Sequence, residues 1–114
     1  MLFGKLLIFS CCLPVLAFGQ AISATVVGRV TDPSGAVVAK TRIVIRNQQT
    51  NQVRETITSN LGIYEFQYIP VGIYGITAEA PGFQRMEVSS FSLSVDQVAR
   101  VDLTLVLGQT TDKI

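Results

Sequence analysis

Apolar and polar residues alternate along most of this chain in short runs, and breaks centred on Gly, Pro and Asn separate the runs. The clearest stretch spans residues 58–83, TSNLGIYEFQYIPVGIYGITAEAPGF. There Asn60-Leu61-Gly62, Pro70-Val71-Gly72 and Pro81-Gly82 interrupt two alternating segments rich in Tyr, Phe and Ile. A period of two marks strands with one buried face, and the breakers supply the backbone angles that tight turns need. Extended along the chain, the pattern gives seven strands, at residues 25–32, 40–47, 52–58, 63–69, 73–80, 86–95 and 97–107. Short strands at this spacing, with no helical period between them, predict an all-β fold, a seven-stranded antiparallel β-sandwich.

The alternation also assigns faces. Val26, Gly28 and Val30 point inward, followed by Ile43 and Ile45, Tyr64 and Phe66, then Tyr74, Ile76 and Ala78. Leu93 and Val95 of the sixth strand and Val101, Leu103 and Leu105 of the seventh complete the expected core. In the third strand Val53 and Ile57 compete with Thr56 and Thr58, and the period does not decide between them. Ile69 falls out of phase with Tyr64 and Phe66, which predicts a bulge before Pro70. Asp32-Pro33-Ser34-Gly35 predicts a turn capped by the Asp32 carboxylate, and Ala80-Pro81-Gly82-Phe83 a type II turn with Gly82 at positive φ.

The first nineteen residues belong to a different pattern. Lys5 precedes a short apolar run from Leu6 to Leu13, Pro14 breaks it, and Ala17-Phe18-Gly19 places small residues before Gln20. This is the anatomy of a secretory signal peptide, a helix removed on export. The apolar run falls short of the roughly 20 residues a membrane-spanning helix needs, which disfavours an uncleaved anchor. A lipoprotein cut before Cys11 is disfavoured by the lead-in Phe9-Ser10. The expected division is a signal peptide at 1–19, a β-sandwich at 20–108 and the start of a linker at 109–114.

Composition narrows the chemistry. Both cysteines, Cys11 and Cys12, lie in the leader, so the exported chain has no disulfide, thiol nucleophile or thiolate metal site. The chain holds no His and no Trp. Loss of Lys5 with the leader leaves eight basic against eight acidic residues. A chain so balanced lacks the basic excess of a nucleic-acid binder. Without His there is no Ser–His pair and no imidazole metal ligand. Ser89, Ser90, Ser92 and Ser94 read as outward strand residues, and Glu55, Glu65, Glu79, Glu87, Asp96 and Asp102 as single solvent-facing carboxylates. Gly72 and Gly75 lack the helix that makes a glycine-rich loop hold phosphate. The expectation is no catalytic residue, no metal and no cofactor.

The residues left for contact are few. Lys40, Arg42 and Arg46 form a mildly basic cluster, and Tyr68 is the aromatic most clearly left outside the core, with Phe91 second. Edge strands of an open sandwich can pair with a partner strand, and Val27, Val37, Val44 and Ile73 add apolar surface.

The turn and core residues, taken in order, give the chain a family resemblance. Gly28-Arg29-Val30-Thr31-Asp32-Pro33-Ser34-Gly35-Ala36-Val37-Val38, Ile43-Val44-Ile45 and Thr58-Ser59-Asn60-Leu61-Gly62-Ile63-Tyr64-Glu65-Phe66 carry it through the first half. Ile69-Pro70-Val71-Gly72-Ile73-Tyr74, Ala80-Pro81-Gly82-Phe83 and Val101-Asp102-Leu103-Thr104-Leu105 carry it to the end. The chain resembles the carboxypeptidase regulatory-like domain, a transthyretin-like (prealbumin-like) seven-stranded sandwich. It departs from that pattern at Ala39-Lys40-Thr41, where the family more often has Pro-Gly-Ala.

The spelling DPSGAVV and the Gly108-Gln109 pair are similar to copies at the N-terminus of TonB-dependent outer-membrane receptors. The resemblance implies a non-catalytic, periplasm-facing accessory domain, exported and associated with the periplasm or outer membrane, whose partner there is a protein. The alternative function is carbohydrate binding, since related sandwiches bind glycans on exposed aromatic platforms.

Overall fold

The direction of travel explains the topology. The computed structural model describes residues 23–108, so the expected signal peptide and the tail at 109–114 lie outside the described residues. Among these, eight strands follow in order: β1 Ser23–Thr31, β2 Arg42–Asn47, β3 Val53–Ile57, β4 Ile63–Pro70, β5 Gly72–Glu79, β6 Met86–Leu93, β7 Val98–Arg100 and β8 Leu103–Thr104. Two sheets form, one ordered β4-β1-β7 with β8 also on β1, the other β3-β2-β5-β6. Each strand from β1 to β7 reverses the direction of the one before. Odd strands therefore pair antiparallel with even ones, as in β1–β4, β2–β3, β2–β5 and β5–β6. The pairs β1–β7 and β1–β8 join strands that run the same way, and both are parallel. The purely antiparallel expectation is corrected here, because β6 returns the chain to the end where β1 starts.

The expected seventh strand is two strands, for a local reason. At Val101 the carbonyl accepts the Tyr64 hydroxyl, which reaches across β1 from β4. At Asp102 the side chain, not the backbone, accepts the Arg29 N–H at 2.9 Å. The ladder is broken at these two residues and resumes at Leu103. Gly28 makes the crossing possible, since a Cβ there would stand 2.7 Å from the Tyr64 hydroxyl oxygen and overlap the Val101 carbonyl.

The core lies between the sheets. Val26, Val30, Ile43, Ile45, Tyr64, Phe66, Tyr74, Ile76, Ala78, Leu93, Leu103 and Leu105 are buried, as the alternation predicts. Val101 is half-buried, and Val95 is 53% exposed. Val95 leaves the core because β6 stops at Leu93, and a turn follows in which Gln97 N–H bonds the Ser94 carbonyl at 3.1 Å. The contest in β3 goes to the threonines: Val53 and Ile57 are 58% and 53% exposed, whereas Thr58 is buried. The hydroxyls of Thr41 and Thr58 both donate to the Val38 carbonyl, at 3.2 and 3.1 Å, which satisfies the polar atoms buried there. β2 begins at Arg42, two residues later than expected, since Lys40 takes a positive φ of 58°.

Both predicted turns form. The Asp32 carboxylate accepts the Ser34 and Ala36 N–H groups and the Ser34 hydroxyl. Gly82 has φ 83°, with Phe83 N–H bonded to the Ala80 carbonyl at 3.1 Å. The bulge also forms. Ala24 pairs with Ile69 but Val26 with Phe66, so β4 carries one extra residue there and Ile69 returns to the core.

Candidate functional site

The β4 bulge reaches the surface at the end of the sandwich where β1 starts, here the near end. Tyr68 sits in the bulge at φ 59° and is 75% exposed. Left-handed backbone costs a residue with a large side chain on the order of 1–3 kcal/mol, so its surroundings must hold it there. Arg54 supplies the hold. It stands on edge strand β3 and donates to the Gln67 and Tyr68 carbonyls of β4 at 2.8 and 3.3 Å. Its guanidinium carbon lies 5.8 Å from the centre of the Phe66 ring, a cation–π distance.

Two clefts flank the bulge. One, of about 320 Å³, opens between the sheets beneath Arg54, with Ile45, Ile69 and Tyr74 as apolar walls and Asn47 and Gln52 at its rim. The Tyr74 hydroxyl is already committed to the Pro70 carbonyl at 2.6 Å. The other, of about 360 Å³, lies beside Tyr68 and is lined by Ser23, Thr25, Gln67, Asp96 and Gln97. Asp96 also has a positive φ, 61°, in the turn that brings β7 beside β1.

The four contact residues expected from sequence do not form one site. Tyr68 is at the near end, and Lys40 is at the far end, its N–H bonded to the Thr58 carbonyl. Arg42 faces outward, as expected, but its charge is taken. Glu55 bonds it at 2.7 Å and Glu79 at 3.2 Å, with Arg85 closing on Glu79 at 3.5 Å. The Glu55 hydrogen bond and charge raise the Arg42 pKa, and the same bond holds the Glu55 carboxyl below the usual carboxylate range. The expectation of single carboxylates fails for Glu55 and Glu79, because Glu79 on β5 is opposite Arg42 while Glu55 on β3, opposite Val44, reaches it diagonally. Arg46 lies two rows along, beyond Val44 and between Val53 and Gly75, and takes no acidic partner among the described residues.

The sequence marks neither Arg54 nor Gln97, and it marks Asp96 only as a solvent-facing carboxylate. Arg54 is opposite Ile45, in the inward phase of the strand whose facing the period left open. An arginine in that phase on an edge strand was the available signal. Phe91 is half-buried, and Ser89, Ser90, Ser92 and Ser94 are exposed. Among the described residues no three acidic, His or Cys side chains gather as a metal site would require.

Comparison with known proteins agrees with this architecture. The family model of the carboxypeptidase regulatory-like domain matches residues 25–106. No curated protein sequence matches the chain. Among solved structures, the Bacillus anthracis TIE protein is similar at TM-score 0.66 and 14% identity, over 90% of this chain and 20% of that one. Catechol 1,2-dioxygenase from Acinetobacter radioresistens is similar at TM-score 0.63 and 11% identity, over 79% of this chain and 53% of that one. A "putative carbohydrate binding protein" from Bacteroides uniformis is similar at TM-score 0.61 and 20% identity, over 75% and 42%. The chain thus spans about half the length of the dioxygenase it matches. At these identities the likeness concerns the fold.

Proposed function

This chain belongs to the carboxypeptidase regulatory-like domain family, and from that premise we propose that it is an exported, non-catalytic interaction module. Its place is the N-terminal periplasmic extension of a TonB-dependent outer-membrane receptor. The observation that carries this reading is where the backbone enters and leaves the sandwich. β1 begins at Ser23, paired with Pro70, whereas Gly108 leaves beside Gly82 at the opposite end of the sandwich. Segments attached before and after the domain are thereby held apart by about 25 Å, the length of an eight-residue strand. A folded spacer needs that geometry, and the ion-paired outer face of the second sheet suits a solvated module. Export rests on the leader pattern at residues 1–19.

The coding sequence beyond Ile114 tests the receptor context. A plug and a barrel in frame are expected; a stop codon followed by an unrelated gene overturns it. Turnover assays test the other half. The purified chain is expected to leave peptide, ester and glycoside substrates intact, and sustained turnover of any of them contradicts the reading.

A second reading, carbohydrate binding, is favoured by one observation: Tyr68 stands exposed beside a cleft lined with hydroxyl, amide and carboxylate groups. The name of the Bacteroides uniformis neighbour supports it.

A further inference from the structure

Resting on the carbohydrate reading, we propose that the cleft between Tyr68 and Asp96 at the near end binds a neutral, hydroxyl-rich sugar, with the Tyr68 ring as its stacking face. Tyr68 contrasts with the other two tyrosines. Tyr64 and Tyr74 bury their rings and direct their hydroxyls to backbone carbonyls, whereas Tyr68 presents its ring to water. An aromatic ring in water keeps its apolar face available, and the C–H face of a pyranose covers such a ring while its edge hydroxyls stay polar.

The rest of the lining determines which ligand fits. Ser23 and Thr25 bring hydroxyls, Gln67 and Gln97 amides and Asp96 a carboxylate. No basic side chain among the described residues pairs with Asp96. A carboxylate accepts strongly from hydroxyl donors and the amides both donate and accept, so each group suits a polyol. A protein anchor would want an apolar, desolvated pocket, which this lining does not offer. The volume of about 360 Å³ falls at the lower end of small-ligand sites, on the order of 300–1,000 Å³. Arg54 acts as a positioning residue, since its bonds to the Gln67 and Tyr68 carbonyls fix the bulge that projects the ring.

The test is titration of the ¹⁵N-labelled chain with maltoheptaose, cellohexaose, xylohexaose and chitohexaose, followed by amide shifts. Saturable binding of one of them is expected, with shifts at Thr25, Gln67, Tyr68, Asp96 and Gln97. Tyr68→Ala and Asp96→Asn are each expected to weaken it about tenfold or more, with the fold intact by circular dichroism. Arg54→Met, which keeps an unbranched stem but removes the Nη1 donor to both carbonyls, is expected to weaken sugar binding while leaving Asp96 in place. Sugar binding that survives Tyr68→Ala overturns this site and leaves the carbohydrate reading standing. No saturable binding of any of the four sugars overturns both. A cleft that shifts only with a protein partner overturns the proposal in favour of a docking surface.

Discussion

Gly28→Ala tests the way the two sheets are locked. The added methyl would stand 2.7 Å from the Tyr64 hydroxyl oxygen and 2.8 Å from its ring carbon, and would overlap the Val101 carbonyl. Relief by backbone movement is blocked, because the Val101 N–H is bonded to the Val27 carbonyl at 2.8 Å and Asp102 holds the Arg29 N–H. Overpacking of a core costs about 1–3 kcal/mol. Driving the Tyr64 hydroxyl off Val101 leaves a polar group short of a partner, at about 1–3 kcal/mol more. The expected loss is therefore about 2–6 kcal/mol, a large part of the roughly 5–10 kcal/mol that holds a domain of this size.

Tyr64→Phe removes the hydroxyl alone and is expected to cost about 1–2 kcal/mol. In the double variant the clash with the oxygen is gone and the hydrogen bond is already lost. Its cost should fall short of the sum by about 1 kcal/mol or more. Urea unfolding followed by far-ultraviolet circular dichroism measures all three, with the m value unchanged. A Gly28→Ala protein within about 0.5 kcal/mol of the parent, or strict additivity in the double variant, refutes the reasoning.

Burial, reinforced by the Asp102 charge and opposed by Arg100, raises the Tyr64 pKa well above the ordinary tyrosine value near 10. A raised folded-state pKa adds stability that is fully present below about pH 10 and is lost as pH rises beyond it, because the unfolded chain then releases the proton first. Urea midpoints should fall above about pH 10 in the parent and fall less in Tyr64→Phe; equal alkaline slopes contradict this. At Asp32, the Ser34 hydroxyl at 2.6 Å, followed by the Ala36 and Ser34 N–H groups, depresses the carboxyl. Its stabilising contribution is present at neutral pH and lost as pH falls. Carbon-detected NMR titration should find it below the usual carboxylate range, and Ser34→Ala should bring it up; no change on that substitution contradicts the assignment. Arg54→Ala uncovers two carbonyls on the free edge of β4. Exposed edges invite pairing with another chain, so light scattering should find more self-association than in the parent, and a strictly monomeric variant refutes the capping role.

The fold was legible wherever a period of two met a turn residue with a fixed backbone demand. Tyr64, Phe66, Tyr74, Ile76 and Ala78 are buried as the alternation placed them, and Asp32 and Gly82 make their turns. Val53 and Ile57 were not legible, because which face of an edge strand is buried depends on a neighbouring sheet. There the buried threonine pair bonds Val38 in place of an aliphatic contact. The division of the last strand depends on a hydroxyl arriving from β4, which no local pattern encodes. The parallel pairing of β7 with β1 follows from counting reversals and was open to a reader who did so. At the site, Tyr68 was legible as the unneeded aromatic, whereas Asp96 and Gln97 come to it through a turn some 28 residues downstream that only the fold brings near.

The central claim is that the two sheets close on one packed core. Amide hydrogen exchange, resolved by residue over 23–108, tests it most directly. The slowest exchange is expected at Val26, Val30, Ile43, Ile45 and Ile76, and fast exchange at Val95 and other exposed positions of the turns. Core amides that exchange as fast as those of the turns would contradict it.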